Sequence, residues 1–167
     1  MPVAAPVPVS EYLNTSYRPD CDYLDGELLE RNVGERDHSR LHGLVSWYLG
    51  NREAQWGILV AMSLRMQISA TRFRVPDITV IAGKPPAGPI VTTPPFLCIE
   101  ILSPSDRLTE MQQRIDDYLS FGVRYVWLIN PTTRHAYVYT SAGIHEVRDG
   151  VLTAENPDIR VVLSELE

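Results

Sequence analysis

The chain almost lacks lysine. Of its 15 basic residues only Lys84 is a lysine and 14 are arginines, so chemistry that needs an amine must use Lys84 or do without it. Cysteine is scarce too. Cys21 and Cys98 are far apart and form no CxxC pair, which excludes a cysteine-rich zinc site and a disulfide framework. Two buried, reduced thiols are expected instead. No apolar run approaches the roughly 20 residues of a membrane-spanning helix. The opening MPVAAPVPVS has no basic segment and its apolar residues are interrupted by proline, so it does not read as a signal peptide. A soluble, cytoplasmic protein is the expectation. A formal net charge of -6 excludes a uniformly basic nucleic-acid coat but not a local basic groove. Glycine-rich phosphate loops, dinucleotide fingerprints and GxSxG elbows are absent as well.

What is present describes one ordinary globular domain. The 167 residues are 44% hydrophobic and 22% charged, and a chain of this size buries roughly 70% of its unfolded surface without a metal or disulfide staple. Residues 1–7 read as a mobile lead and 8–167 as a single domain. Ser10 is placed to cap a short helix, and CDYLDGELLERN reads as a hairpin around Asp25-Gly26. Leu41, Leu44, Val45, Tyr48 and Leu49 recur at helical spacing between Asp37 and Gln55. ILVAMSLRMQIS and FRVPDITVIAG read as two strands, followed by the proline-rich loop KPPAGPIVTTPP.

FLCIEIL reads as a buried strand, and Ser103 to Asp106 as the cap of a helix reaching Ser120. Its apolar stripe is Leu108, Met111, Ile115, Tyr118 and Leu119, and Gly122 stops it. With RYVWLIN next, this segment has the pattern of a right-handed crossover between parallel strands. A hairpin is expected around Asp149-Gly150. The fold class is α/β, bordering on α+β: a mixed sheet flanked by helices. Trp47, Trp56 and Trp127 fall in apolar patterns and are assigned to the core.

Two acids occur where acids are costly. Asp77 follows Pro76 at the start of an apolar strand, and Glu100 lies between Ile99 and Ile101. An unpaired buried carboxylate costs several kcal/mol, so such groups are paired, protonated or bound to a cation. Pairing with arginines such as Arg65, Arg72 or Arg74 is one reading. Two such acids on successive strands point instead to a divalent-cation site, and hard oxygen ligands suit magnesium or manganese.

VPDITVI, then IEILSPSDRLTEMQQRIDDYLSFGVRYVWLINP, with the earlier DYLDGELLER and the helix-leading His38, resembles the bacterial Uma-type family of restriction-endonuclease-like proteins. That family belongs to the PD-(D/E)XK nuclease superfamily, and the resemblance spans about residues 8 to 166. It implies a restriction-endonuclease-like core acting as a metal-dependent DNA endonuclease. Asp77 and Glu100 would hold one or two Mg²⁺ (or Mn²⁺), with the main-chain carbonyl of Ile101 completing the set. Glu27 matches an N-terminal acid near the site, and His38 a histidine leading the first long helix. For Glu27 the alternative is a solvated hairpin acid, and for His38 a helix-start cap.

The sequence departs from the superfamily at the lysine two residues after the second acid, which here is Leu102. In Uma-type proteins that lysine is placed on the following helix, where this chain has Arg114. Arginine keeps the charge but cannot accept a proton near neutral pH. Glu110, Arg114 and Asp117 also fit a surface ladder of ion pairs. A catalytically weak or inactive nuclease-fold protein that binds nucleic acid or a protein partner is therefore the alternative function. His38 and His42 lack the HExxH context and a third ligand, so they read as an exposed pair. Lys84 reads as a solvated loop residue. A two-fold homodimer is expected on general grounds, since closed pairs are the commonest soluble oligomers.

Overall fold

Short apolar runs broken by turn residues build the protein, and the computed structural model describes residues 4–31 and 35–167. Helix α1 (Val9–Asn14) precedes the hairpin of β1 (Cys21–Leu24) and β2 (Glu27–Glu30). Its two turn residues, Asp25 and Gly26, have φ of 51° and 100°, the doubly positive conformation that Asp-Gly favours. Helices α2 (Arg36–Gly50) and α3 (Glu53–Trp56) follow, then strands β3 (Ile58–Met62), β4 (Met66–Ser69), β5 (Arg72–Arg74) and β6 (Ile78–Ala82). Strand β7 (Leu97–Ile101), helix α4 (Leu108–Phe121) and strand β8 (Tyr125–Ile129) come next. Strands β9 (Ala136–Thr140), β10 (Gly143–Val147), β11 (Val151–Ala154) and β12 (Ile159–Val162) and a 3₁₀ turn (Leu163–Glu165) close the chain.

Six strands form the main sheet in the order β10-β9-β8-β7-β6-β3. Only β7 and β8 run parallel, joined by α4, and the other neighbours are antiparallel. This is the expected crossover. Gly122 ends α4 at φ 113°, a conformation costly for a residue with a Cβ. A second, antiparallel sheet has the order β2-β1-β5-β4, and β11 pairs with β12 alone.

Both faces of the main sheet are covered. Leu41, Val45 and Leu49 of α2 pack on one face with Leu97, Ile99, Ile101 and Trp127, and with Leu152, Ile159 and Val161 of the last hairpin. On the other face Met111, Ile115 and Tyr118 of α4 meet Cys98, Val126 and Leu128. Every residue of β7 is buried, as expected of a central strand covered on both sides. Cys21 and Cys98 are buried free thiols. Among the described residues no helix is long and apolar enough to cross a membrane.

Several elements differ from expectation, each for a local reason. The two long strands are four, because Ser63 adopts φ 50° and Pro76 has no N–H to give a ladder. Their first and second halves belong to different sheets, and the chain crosses between the sheets at Ser63 and Asp77, where the Ser63 amide donates to the Asp77 carbonyl (3.1 Å). Leu108 is 84% exposed because α4 begins there. Asp106 closes a tight loop by accepting the Ser103 amide (2.7 Å), while the residue before the helix is Arg107 and no side chain caps it. Likewise α1 is preceded by Pro8 rather than capped by Ser10. Asp149-Gly150 joins strands of different sheets, and the hairpins are β9–β10 and β11–β12. Trp127 is buried, but Trp47 is 67% exposed, off the stripe that α2 turns inward. Within the expected N-terminal lead, residues 1–3 lie outside the described residues. Val7 is tied to the first hairpin: its amide donates to the Gly26 carbonyl (2.9 Å), and its carbonyl accepts from the Tyr23 hydroxyl (2.7 Å).

Candidate active site

Side-chain alternation on β7 aims Glu100. Leu97, Ile99 and Ile101 face α2, so the pleat turns Glu100 toward α4. There Arg114 and Tyr118, four residues apart on one helical face, both reach it. The Tyr118 hydroxyl donates to Glu100 Oε1, and Arg114 Nη1 lies 3.4 Å from Oε2. Asp77 comes from the crossing between the two sheets, immediately before β6. Its Oδ2 accepts the Ile101 amide at 2.8 Å and lies 3.4 Å from His38 Nε2. The two acids thus converge from adjacent strands.

A single cationic nitrogen joins them. Arg31, just beyond β2, places Nη2 2.8 Å from Asp77 Oδ1 and 3.1 Å from Glu100 Oε2. Arg114 Nη2 also lies 3.3 Å from Asp22 Oδ2, and Asp22 accepts the Val75 amide (2.8 Å) and Arg74 Nη1 (3.0 Å). Arg74 continues to Asp117 (2.7 Å). The result is an internal row of alternating charge: Asp117, Arg74, Asp22, Arg114, Glu100, Arg31, Asp77. A cleft between Arg31, His38, Asp77, Glu100 and Arg114 has a volume of about 10 Å³, room for one water.

The surroundings drive the two acids apart in acidity. For Asp77, burial opposes ionisation, but the His38 hydrogen bond, the Arg31 charge and the Ile101 amide outweigh it and hold the carboxyl well below its ordinary pKa. For Glu100, burial dominates and raises the pKa, against the pull of Arg31 and Arg114. Paired titratable groups split in this way are typical of acid–base sites. His38 is raised by its hydrogen bond to Asp77, against burial. The stability this gives is fully present below the unfolded histidine pKa of about 6.5 and is lost as pH rises through the higher folded value. An NMR titration of the His38 ring is therefore expected to show a midpoint above that of an unfolded histidine, returning to normal in Asp77→Asn. A midpoint at or below the unfolded value would contradict the Asp77 contact.

Of the residues expected at the site, the structure brings together Asp77, Glu100, Ile101, His38 and Arg114. Glu27 stays outside, exposed on β2 opposite Leu24. The buried acid of that hairpin is Asp22. His38 does not act as a helix cap: it sits inside the first turn of α2 and faces Asp77. Nor are the two histidines an exposed pair. Both are half-buried, and His42 Nε2 donates to the Asp77 carbonyl (2.9 Å). The surface-ladder reading of Arg114 fails, since Asp117 pairs with Arg72 and Arg74 instead. The acids are paired by an arginine, but not by those named from sequence: Arg65 serves Asp20, Arg72 serves Asp25 and Asp117, and Arg74 serves Asp22 and Asp117. Arg31, Asp22 and Tyr118 were given no such role. Asp22 carried the same signal as Glu100, an acid within a strand.

The donor set suits a hard cation. Among the described residues no three His, Cys, Asp or Glu side chains converge on one point. Magnesium, however, keeps several waters and is commonly held by only one or two carboxylates. Asp77 and Glu100 could provide those two, and the Arg31 nitrogen between them is a stand-in that marks where positive charge is stabilised.

Comparison with known proteins gives the family and the fold. The sequence profile of Uma2, described as "putative restriction endonuclease", matches residues 9–165. The chain belongs to the Uma2 family. The fold of this Uma2 chain matches the crystal structure of a "putative nuclease belonging to DUF820" from Anabaena variabilis ATCC 29413. The TM-score is 0.81 at 21% identity, covering 96% of this chain and 97% of the other. At that identity the likeness establishes the fold, a restriction-endonuclease-like mixed α/β architecture. No curated protein matches the chain. Leu102, the position at which the sequence resemblance leads one to expect lysine, packs in this Uma2 chain against the α4-side core, and its amide donates to the Ile129 carbonyl (2.9 Å).

Proposed function

We propose that this chain is a Mg²⁺- or Mn²⁺-dependent endonuclease that hydrolyses DNA phosphodiester bonds. The observation that carries the reading is the convergence of Asp77 and Glu100 on one cationic nitrogen at the end of the main sheet. Asp77, Glu100 and the Ile101 carbonyl would hold the metal. The chemistry a bound divalent ion supplies is charge neutralisation at the phosphate and a lowered pKa for an attacking water. The protein's own groups do the rest. Asp77 stays ionised, and its backbone is fixed through the His42 and Ser63 contacts. Arg114 stays cationic and offers charge to a phosphate rather than a site for a proton. His38 brings an imidazole to Asp77, whose hydrogen bond raises the ring's pKa and favours the protonated form, so it is a group suited to carry a proton.

A second reading is a nuclease-fold protein that binds nucleic acid or a protein without cutting. It is favoured by the Arg31 bridge, which neutralises both acids without a metal. Plasmid nicking separates the two. The endonuclease reading expects supercoiled DNA to be nicked with Mg²⁺ or Mn²⁺ and left intact with EDTA. Cleavage unaffected by EDTA, or no cleavage in any metal, would overturn it.

A further inference from the structure

The cleft's charges are already balanced. Arg31 and Arg114 lie 2.8 to 3.4 Å from the carboxylates of Asp77 and Glu100. Each of the four carboxylate oxygens has a donor: Arg31 on Asp77 Oδ1, the Ile101 amide on Oδ2, Tyr118 on Glu100 Oε1, and both arginines on Oε2. About 10 Å³ remains between them. A divalent ion brought into this arrangement would touch fixed positive charge and would find no uncommitted carboxylate oxygen. Away from bulk water such like-charge contact is strongly unfavourable.

We propose that Arg31 is a tethered counter-ion occupying the divalent cation's place between Asp77 and Glu100, so that the cation binds only when Arg31 moves out. The proposal rests on the metal-dependent reading of the site and concerns how that site is loaded. Arg31, not Arg114, is the group that leaves. Arg114 projects from the middle of α4 and is pinned on both sides, by Asp22 and Glu100. Arg31 stands at the end of a strand, and its Nη1 is buried without an acceptor among the described residues, so only one of its two terminal nitrogens is engaged with the acids. A cleft of about 290 Å³ opens beside it, walled by Asp20, Ser39, His42 and Ser63, with space and polar groups for a guanidinium. Arg31 and the cation therefore compete, and removing the guanidinium raises cation affinity.

Mn²⁺ binding, followed by the electron paramagnetic resonance signal of the free ion, tests this without DNA or turnover. Compared are the unmodified protein, Arg31→Gln, and Arg31→Gln combined with Asp77→Asn. Arg31→Gln is expected to bind Mn²⁺ at least tenfold more tightly than the unmodified protein, and the added Asp77→Asn to remove that gain. Its melting temperature should also rise more on adding Mn²⁺, by linkage. If Arg31→Gln does not fold by circular dichroism, Arg31→Lys replaces it; without the planar fork it should also bind Mn²⁺ more tightly than the unmodified protein. Equal affinities with and without Arg31 would overturn the counter-ion role and leave the metal reading standing. Absence of Mn²⁺ binding in every variant would remove the metal reading, and this proposal with it.

Discussion

Asp22→Ala is expected to destabilise the protein by about 3–5 kcal/mol, the cost of removing one partner from a buried ion pair. Asp22 is fully buried, accepts the Val75 amide and Arg74, and pairs with the Arg114 charge. Alanine leaves a buried amide unsatisfied and places two guanidiniums side by side with one counter-charge fewer. The surface acid of the same hairpin, Glu27, is the control, since exposed substitutions lie within about 0.5 kcal/mol. Urea denaturation of the two variants measures the contrast. Because a domain of this size shifts by roughly 2–4 °C per kcal/mol, the Asp22 variant should also melt about 10 °C lower. An Asp22→Ala protein within about 1 kcal/mol of the parent would show that the charge row is not a supporting element.

The largest expected effect on activity belongs to Asp77→Asn, a loss of nicking of about 10³-fold or more. Asparagine keeps the shape, and its carbonyl can still accept the Ile101 amide. It loses the negative charge, which both the proposed cation and His38 need. Several kcal/mol of charge stabilisation ride on such a ligand, and each 1.36 kcal/mol is tenfold in rate. Initial nicking rates at matched protein and saturating Mg²⁺ give the ratio, with circular dichroism verifying the fold. A variant within tenfold of the parent would dismiss Asp77 as a metal-holding acid.

How much of this was legible beforehand depended on the range of the interaction. The Asp25-Gly26 hairpin, the Gly122 stop and the β7–α4–β8 crossover depend on neighbours in sequence, and they were read correctly from composition and spacing. Asp77 and Glu100 stood out because a charge inside an apolar strand must be answered somewhere. What answers them was not legible. Arg31 is 46 residues from Asp77 and 69 from Glu100, and nothing local separates it from the other 13 arginines of the chain. Tyr118 was placed in the core stripe of α4, which is true of its ring but not of its hydroxyl. The split of two apparent strands into four was hidden because Ser63 gives no turn signal, although Pro76 did.

That split has a consequence for the site. Asp77 stands at the seam where the paired strands leave one sheet for the other, and its carbonyl accepts both Ser63 and His42. Glu100 lies within one sheet, with no seam beside it. Asp77 is therefore held by both sheets at once, its side chain by the Ile101 amide of the first and its backbone by the Ser63 turn between them. The separation of the two carboxylates is thus set by how the two sheets meet at that seam, not by either sheet alone.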